Sequence, residues 1–245
     1  MQTTLDGLLD RRVTLEQPAA GYRVAVDTVM LAAAVPAKGG EHALDLGCGV
    51  GGAMLCLACR VSGLSITGIE IQGELARLCE NNIARNKFDA KLSVHEGDAT
   101  QLPQNFMGAF DQVLMNPPYH AEARHDVSPD AQKRTANTEK SGELASWIAS
   151  AASALKSSGT ITLIHRADRS DEILALLTVN FASIEIVPLL PKINAKPARI
   201  ILRARKAATP AVTHCLPLIL HGENGTYTDA AESILRHGKP LEFVP

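Results

Sequence analysis

Residues 43 to 52 read Ala-Leu-Asp-Leu-Gly-Cys-Gly-Val-Gly-Gly, and this stretch decides the fold. Its four leading residues form a short apolar run that is typical of a strand, and the apolar spacing over 53–59 is typical of a helix. Gly47, Gly49 and Gly52 have the G-x-G-x-x-G spacing of a turn that lets a ligand approach the backbone. The stretch therefore predicts a strand, a ligand-binding turn and a helix.

Strands and helices alternate along most of the remaining chain. We predict strands at 65–70, 91–95, 110–115, 159–165 and 183–190, and helices at 27–35, 73–86, 142–155, 168–177 and 225–236. This alternation predicts an α/β protein with a doubly wound and mostly parallel sheet. Two later strands, at 198–204 and 216–220, have no long helix between them, which predicts an antiparallel edge.

Two segments lack any periodic pattern. Residues 1–22 are polar and punctuated by Pro18 and Gly21, so we expect them to be irregular. In 120–141, ten of the side chains are Asp, Glu, Lys, Arg or His, which predicts a long exposed loop. Loops of this length are often functional.

Composition places the chain among soluble globular proteins. Of its 245 residues, 46% are hydrophobic and 20% are charged. The apolar stretch at 29–37 has about half the length of a membrane span, and the first twelve residues do not resemble a secretion signal. We therefore expect a cytoplasmic protein. The odd count of five cysteines argues against a disulfide framework, and we predict no metal site because His and carboxylates form no cluster with ligand spacing.

Glu70 ends the predicted strand that follows the glycine turn, 18 residues after Gly52. A carboxylate at this position can accept hydrogen bonds from two ribose hydroxyls, so we predict a cofactor that contains a ribose. Proteins that bind NAD, FAD or S-adenosylmethionine all use a similar turn, and a plain tight turn is the alternative without a ligand.

Asp45 helps to discriminate between these cofactors. An acid at the end of an apolar strand costs several kcal/mol unless it is paired, and it is poorly placed beside a pyrophosphate. It is well placed beside a sulfonium and an amino group. After the third strand, Asp98 can accept a hydrogen bond from the amine of the cofactor's adenine, with Ala99 supplying a backbone contact; the alternative for Asp98 is a turn or helix cap.

Residues 116–119 read Asn-Pro-Pro-Tyr and follow the fourth strand, where open α/β sheets bind their ligands. A conjugated amine attacks poorly until acceptors draw out its protons. The side-chain oxygen of Asn116 and the rigidly held carbonyl of Pro117 can be those acceptors, and Tyr119 can stack on a planar base. We therefore predict Asn116, Pro117 and Tyr119 as catalytic residues, with a simple Pro-Pro turn as the alternative.

Taken together, these motifs resemble the Rossmann-like S-adenosylmethionine-dependent methyltransferases with an NPPY signature. The stretches 21–36 and 220–229 make the chain most similar to the bacterial valine-tRNA adenine-N6 methyltransferases, which modify the adenine beside the anticodon. The resemblance implies a class I methyltransferase with a seven-stranded sheet whose final strand is reversed, and one bound S-adenosylmethionine, which Asn116 also contacts. It further implies that residues 1–36 form an extension closing the cofactor pocket, with Asp27 at its methionine end, and that 37–245 form the methyltransferase domain.

Several alternatives for the acceptor remain. The NPPY signature also occurs in methyltransferases that act on guanine amines, DNA adenines and protein glutamines, and His120 resembles the guanine-specific relatives. With the same cofactor, rRNA guanine-N2, protein glutamine and a small-molecule hydroxyl are therefore alternatives to tRNA adenine. An NAD-dependent oxidoreductase and a nonenzymatic RNA-binding module are the rivals from other classes.

Basic residues point to a polyanionic partner such as tRNA. Between Glu185 and Glu223 there is no acidic residue, and six basic ones give a local charge of +6 in a chain whose formal net charge is −2. Within this interval, even spacing puts Arg199, Arg203 and Arg205 on one face of a regular strand, although a charged edge strand explains the same pattern. The predicted substrate-binding residues are Tyr119, Arg124, Arg134, Lys192, Lys196, Arg199 and Arg203.

Overall fold

The computed structural model describes residues 2–20, 23–88, 90–118 and 143–245. The strands in chain order are β1 (Thr3–Leu8), β2 (Val13–Pro18), β3 (His42–Leu46), β4 (Ser65–Glu70), β5 (Leu92–Glu96), β6 (Phe110–Met115), β7 (Leu155–Arg166), β8 (Ser183–Lys192), β9 (Arg199–Arg205), β10 (Ala211–His214) and β11 (Leu218–His221). The helices are α1 (Val26–Ala34), α2 (Gly52–Arg60), α3 (Gly73–Arg85), α4 (Glu143–Ala154), α5 (Ser170–Leu177) and α6 (Asp229–Leu235). The predicted exposed loop at 120–141 lies outside the described residues.

The main sheet has the order β10-β8-β9-β7-β6-β3-β4-β5, and β11 pairs with β8 beside β10. Along this order β3 to β8 run parallel, and β9 alone is reversed, between β7 and β8. The predicted doubly wound, mostly parallel sheet with a reversed strand is thus confirmed. Two short strands, β10 and β11, extend the seven-strand set on its β8 side.

The antiparallel strand is internal, and the prediction that it forms an edge was wrong. Ile200, Ile201, Leu202 and Ala204 are all buried, which is typical of a strand covered on both faces and bordered on both sides. The strands that do form this edge, β10 and β11, run parallel to β8. The apolar run Ile-Ile-Leu in β9 is the sequence signal for a central strand.

Helices cover both faces of the sheet and create two apolar clusters. One cluster contains residues of α1, α2, α3 and α6, and the other contains residues of α4 and α5. Side chains alternate between them along β6, where Leu114 joins the first cluster while Val113 and Met115 join the second. The alternation explains why the central strands are apolar at nearly every position.

The N-terminal segment differs from its prediction as irregular chain. β1 and β2 form an antiparallel hairpin with Leu5 opposite Glu16. Val13, Leu15 and Gln17 of β2 are buried, so every second side chain of this strand points inward. The sequence of β2 is consistent with this alternation, but β1 is mostly exposed and gives no matching pattern. The hairpin adds a small second sheet beside α3.

Asparagines of α3 fasten the hairpin. The backbone N–H of Glu16 donates to Asn82 Oδ1 at 2.7 Å, and Asn82 Nδ2 donates to the carbonyl of Glu16 at 2.8 Å. One helical turn later, Asn86 makes the same pair of bonds with the backbone of Thr14 at 2.9 and 2.7 Å. The two amides therefore pair with β2 as a neighbouring strand would.

Most predicted elements of the main domain are confirmed with small shifts of their ends. β4 and β6 have the predicted bounds, whereas β7 begins four residues earlier than predicted, at Leu155, and α6 begins at Asp229 instead of at 225. Among the described helices, none is both long and apolar enough to cross a membrane.

Candidate active site

A cavity of about 560 Å³ opens at the carboxyl edge of the sheet, where β3, β4 and β6 end. β4 and β5 lie on one side of β3, and β6 and β7 on the other, so the cavity lies at the topological switch point where open α/β sheets bind ligands. Its size is within the range of roughly 300–1,000 Å³ that is usual for small-molecule sites. The predicted residues on its wall are Asp45, Gly47, Gly49, Glu70, Asp98, Ala99, Asn116 and Pro117.

The glycine turn forms the floor of this cavity. Gly47 has a φ of 68°, and a Cβ there would lie 2.5 Å from Cη2 of Trp147, so a side chain would collide with the indole ring. Gly49 has a φ of 55°, which favours glycine, and a Cβ at this position would meet no atom of the described residues within 4 Å. The backbone at Gly49 is therefore open to a ligand on the cavity side.

Glu70 ties the glycine turn to the end of β4. Its Oε2 accepts from the backbone N–H of Gly49 at 2.9 Å, and its Oε1 accepts from that of Gln72 at the same distance. Burial raises the pKa of the Glu70 carboxyl, against the lowering effect of these backbone donors. The backbone of Ile71 also hydrogen bonds to this carboxyl. A carboxylate has about four acceptor positions, so Glu70 can still accept a hydrogen bond from a ligand hydroxyl.

Asp45 is a buried acid on the cavity wall. It is only 2% exposed, and burial raises its pKa to about 8, with a smaller contribution from the charge of Glu70. The backbone N–H of Met54 hydrogen bonds to its carboxyl, while its Oδ2 has no partner among the described residues. An acceptor in this situation favours a ligand that brings a positive charge or a donor.

The side chain of Asp98 hydrogen bonds within the turn that follows β5. Its Oδ1 accepts from the backbone N–H and the hydroxyl of Thr100 at 2.8 and 2.7 Å, so the alternative of a turn-capping aspartate is realised. Its Oδ2 accepts only a longer bond of 3.3 Å, from Gln101. Asp98 and the buried Ala99 both line the cavity, which keeps the predicted contact to a cofactor adenine available.

The Asn-Pro-Pro motif lines the same cavity as the carboxylates. β6 ends at Met115, and Asn116, Pro117 and Pro118 form cavity wall directly after it. Prolines have no N–H to donate, which explains why the strand ladder stops there. Tyr119, predicted to stack on the target, lies outside the described residues, as do Arg124 and Arg134.

Two groups of wall residues were not named individually from the sequence, although residues 1–36 were expected to close the pocket. Glu143, Ser146 and Trp147 of α4 line the cavity from the side of the Asn-Pro-Pro motif. Pro18, Val24, Thr28 and Leu31 line it from the N-terminal side. No local pattern marks these residues, because they reach the cavity only through contacts between distant parts of the chain.

The contact between α2 and the N-terminal segment is close. A Cβ at Gly52 would lie 2.9 Å from Cγ2 of Val24. The backbone N–H of Val24 donates to Oε1 of the buried Gln17 at 2.8 Å, which joins this wall to the β1–β2 hairpin. The third glycine of the motif thus allows the N-terminal segment to pack against the start of α2.

Asp27 and Arg199, predicted for cofactor and substrate respectively, form an ion pair of 2.8 Å. Among the described residues of α1, Thr28 and Leu31 line the cavity rather than Asp27. The pair joins the start of α1 to the start of β9. The carboxylate of Asp27 and the guanidinium of Arg199 therefore neutralise each other, although one was predicted to contact the cofactor and the other the substrate.

Arg203 holds the other end of α1. It donates to the carbonyl of Ala34 at 2.8 Å, lies 3.6 Å from the centroid of the Phe243 ring and is 3.6 Å from Glu185. Burial lowers the pKa of its guanidinium. The even spacing does put Arg199 and Arg203 on one face of β9, and that face packs against α1. Arg203 therefore has a packing role, and its substrate contact stays a prediction.

Lys192, the last residue of β8, and Lys196, in the turn that leads to β9, are both exposed. β8 runs parallel to β3, β4 and β6, so its carboxyl end lies at the same edge of the sheet as the cavity. These two predicted substrate-binding residues are thus on the side of the molecule from which a ligand enters.

Comparison with known proteins gives the family. The family model described as "Methyltransferase small domain" matches residues 20–188. This range includes every described element from α1 to α5 and the start of β8. The chain belongs to this family. The methyltransferase uses S-adenosylmethionine as its cofactor, which excludes the rival hypothesis of an NAD-dependent oxidoreductase.

Two proteins that are similar to this chain in sequence have the same name. A tRNA1(Val) (adenine(37)-N6)-methyltransferase from Porphyromonas gingivalis (strain ATCC 33277) is 28% identical to the methyltransferase over 232 residues, which cover 89% of each chain. A protein of the same name from Shewanella putrefaciens (strain CN-32) is 34% identical over 101 residues, 40% of this chain and 42% of that one.

Solved structures support the fold. A protein from Agrobacterium tumefaciens described as a predicted O-methyltransferase superimposes with a TM-score of 0.73 at 24% identity, covering 88% of this chain and 98% of its own. Geranyl diphosphate C-methyltransferase from Streptomyces coelicolor A3(2), solved with S-adenosyl-L-homocysteine, gives a TM-score of 0.53 at 13% identity and covers 74% of this chain and 75% of its own. At these identities the methyltransferase shares a fold with both proteins, and their acceptors carry no weight here.

Proposed function

We propose that this enzyme methylates the N6 amine of an adenine in tRNA, next to the anticodon. The observation that carries the proposal is the position of Asn116 and Pro117, which line the same cavity as Asp45 and Glu70, directly after the end of β6. The name shared by the relatives, one of which aligns over 89% of both chains, supports tRNA as the acceptor.

The cavity walls fit S-adenosylmethionine. Its bound form supplies a methyl group on a positively charged sulfur, which makes the methyl electrophilic. Glu70 would hold the ribose hydroxyls and Asp98 the adenine amine, with Ala99 in contact. Asp45, whose Oδ2 has no partner among the described residues, would accept from the methionine part beside Gly47 and Gly49.

Asn116 and Pro117 would prepare the acceptor. The amide oxygen of Asn116 and the carbonyl of Pro117 accept hydrogen bonds from the two amine protons, which directs the nitrogen lone pair toward the methyl group. The prolines fix the carbonyl without reorganisation. Tyr119 would stack on the base, and Arg124, Arg134, Lys192 and Lys196 would contact the RNA.

Residues 1–36 would close the cofactor pocket as an extension of the domain at 37–245. Support comes from Pro18, Val24, Thr28 and Leu31, which line the cavity. The ion pair between Asp27 and Arg199 would keep the start of α1 in position at the methionine end.

Two of the rival acceptors, a guanine amine and a glutamine amide, would react by the same chemistry as adenine. A guanine amine or a glutamine amide offers a conjugated NH₂ to the same two oxygens, so Asn116 and Pro117 do not discriminate among them. A base, rather than these acceptors, would be needed for a small-molecule hydroxyl. The relative aligned over nearly its full length is the observation that favours adenine in tRNA.

The deciding experiment incubates the purified enzyme with labelled S-adenosylmethionine and total RNA from a strain that lacks its gene. The RNA is then fractionated and digested to nucleosides. Labelled N6-methyladenosine in the tRNA fraction is the expected result. Labelled methylguanosine in rRNA, or label in protein alone, would contradict the proposal.

A further inference from the structure

A rigid loop with two aromatic rings stands beside the exposed lysines of the β8–β9 turn. In the loop at 221–228, His221 and Tyr227 stack with ring centroids 4.7 Å apart and an interplanar angle of 25°. The backbone N–H of Gly222 donates to the carbonyl of Thr226 at 2.9 Å, and that of Thr228 donates to Leu220 at 2.9 Å. The loop is therefore held in one shape before any ligand arrives.

The orientation of the His221 ring is fixed from two sides. Its Nδ1 lies 3.0 Å from the carbonyl of Pro191, and since a carbonyl only accepts, Nδ1 carries the proton. Tyr227 contacts the apolar core and supports the other ring. The half-exposed pair is thus a preformed aromatic surface, of the kind on which nucleic-acid bases stack.

The pairing of β11 with β8 brings this surface next to positive charge. His221 is the partner of Lys192 in the β8–β11 register, and exposed Lys196 follows in the same turn. Ile193 between them is 55% exposed. Bases stack on rings while phosphates pair with lysines, so the combination suits RNA better than it suits a neutral peptide.

The surface and the catalytic cavity lie on the same edge of the sheet. From β6, which ends directly before Asn116, the strands β7, β9 and β8 lead to β11. Four strand spacings of roughly 4.8 Å give about 20 Å between Asn116 and His221. A few nucleotides of RNA bridge such a distance.

We propose that the turn at 192–196 and the His221–Tyr227 pair form a second RNA-binding surface, which holds the substrate outside the cavity while one base reacts within it. This inference rests on the proposed function. It explains why a stretch that contributes no described cavity residue has both a fixed aromatic pair and adjacent exposed lysines.

The charge component is tested with the double variant Lys192→Ala/Lys196→Ala. A matched control, Lys38→Ala/Lys91→Ala, removes two exposed lysines from the amino ends of β3 and β5, at the opposite edge. We expect the Kd for tRNA to rise about tenfold in the first variant and less than about twofold in the control. The slope of log Kd against log salt should become shallower by about 1.5 in the first variant, as for two lost phosphate contacts.

The stacking component is tested with His221→Asn, which retains an amide donor for the Pro191 carbonyl and removes the ring. We expect the KM for tRNA to rise between about fivefold and a hundredfold, with most of the effect in KM rather than kcat. Thermal unfolding checks that the variant folds. Glu223→Gln, which removes the acidic side chain of this loop, should instead tighten tRNA binding about twofold.

The outcomes separate this inference from the proposed function. If the unaltered enzyme methylates tRNA and both surface variants bind tRNA as the lysine control does, the second surface is refuted and the proposed function stands. If the unaltered enzyme methylates protein and not RNA, the proposed function fails and the surface fails with it.

Discussion

At the residue scale, Asn116 is the group whose removal most directly tests the chemistry. Asn116→Ala deletes one of two acceptors for the amine protons, so we expect kcat to fall by about a hundredfold or more while the Kd for S-adenosylmethionine changes less than about threefold. Single-turnover methylation and calorimetric titration measure the two quantities. Asn105→Ala, an exposed asparagine on the loop before β6, is the control. Loss of cofactor binding would mean that Asn116 is structural.

Asp45 makes cofactor affinity dependent on pH. Its pKa of about 8 means that the carboxyl is largely protonated at neutral pH before the cofactor binds. A cationic ligand favours the ionised form, so we expect the affinity for S-adenosylmethionine to increase as the pH rises from 6 to about 8 and then to level off. Calorimetry in buffers of different ionisation enthalpy should detect proton release on binding. Asp45→Asn should weaken binding and abolish both effects; a variant that keeps the pH dependence would assign it elsewhere.

At the scale of elements, Asn82 connects three parts of the structure. Besides its two bonds to β2, it donates to the carbonyl of Val50 in the glycine turn at 3.0 Å, and it is fully buried. Asn82→Leu leaves three backbone groups without their partners, so we expect the free energy of unfolding to fall by about 3 kcal/mol or more, with weaker cofactor binding.

Urea unfolding and calorimetry check this expectation. Asn81→Leu, a substitution at the neighbouring exposed position of α3, should change the stability by less than about 0.5 kcal/mol. Equal effects of the two substitutions would show that the helix surface, rather than the link to the hairpin, determines the result.

The elements show where the sequence was informative. β4 and β6 were predicted to the residue because each is a short apolar run that ends in a distinctive motif. The strand ends then predicted Asp45, Glu70 and Asn116 as site residues, since parallel strands end at one edge. The hairpin was missed because β1 is mostly exposed and its pairing with β2 depends on the asparagines of α3, far along the chain.

At the scale of the whole molecule, the cavity is lined by helices from both faces of the sheet. α1 and α2 contribute wall residues from one face of the sheet, and α4 contributes them from the other. Arg199 and Arg203 hold the two ends of α1 against β9, so two of the basic residues that predicted an RNA surface from sequence also stabilise this wall. A local charge count has no information about which face of a strand a helix covers.

A ligand that contacts both layers should stabilise the whole fold. At a concentration of one hundred times its Kd, S-adenosylmethionine should raise the free energy of unfolding by about 2.7 kcal/mol. For a chain of this size, that corresponds to an increase in Tm of roughly 5 to 10 °C. Differential scanning fluorimetry measures the shift, with NAD at the same concentration as the control. A comparable shift with NAD would contradict the assignment of the cofactor.

The contact between Gly47 and Trp147 has one more consequence. Trp147 is the single tryptophan of the chain, and its ring lies on the glycine turn at the cavity wall. Indole emission depends on the polarity of its surroundings and on quenching by neighbouring groups. The tryptophan fluorescence of the unlabelled protein, excited selectively over its three tyrosines, thus comes from one indole at the ligand site, and the enzyme carries its own optical probe of occupancy.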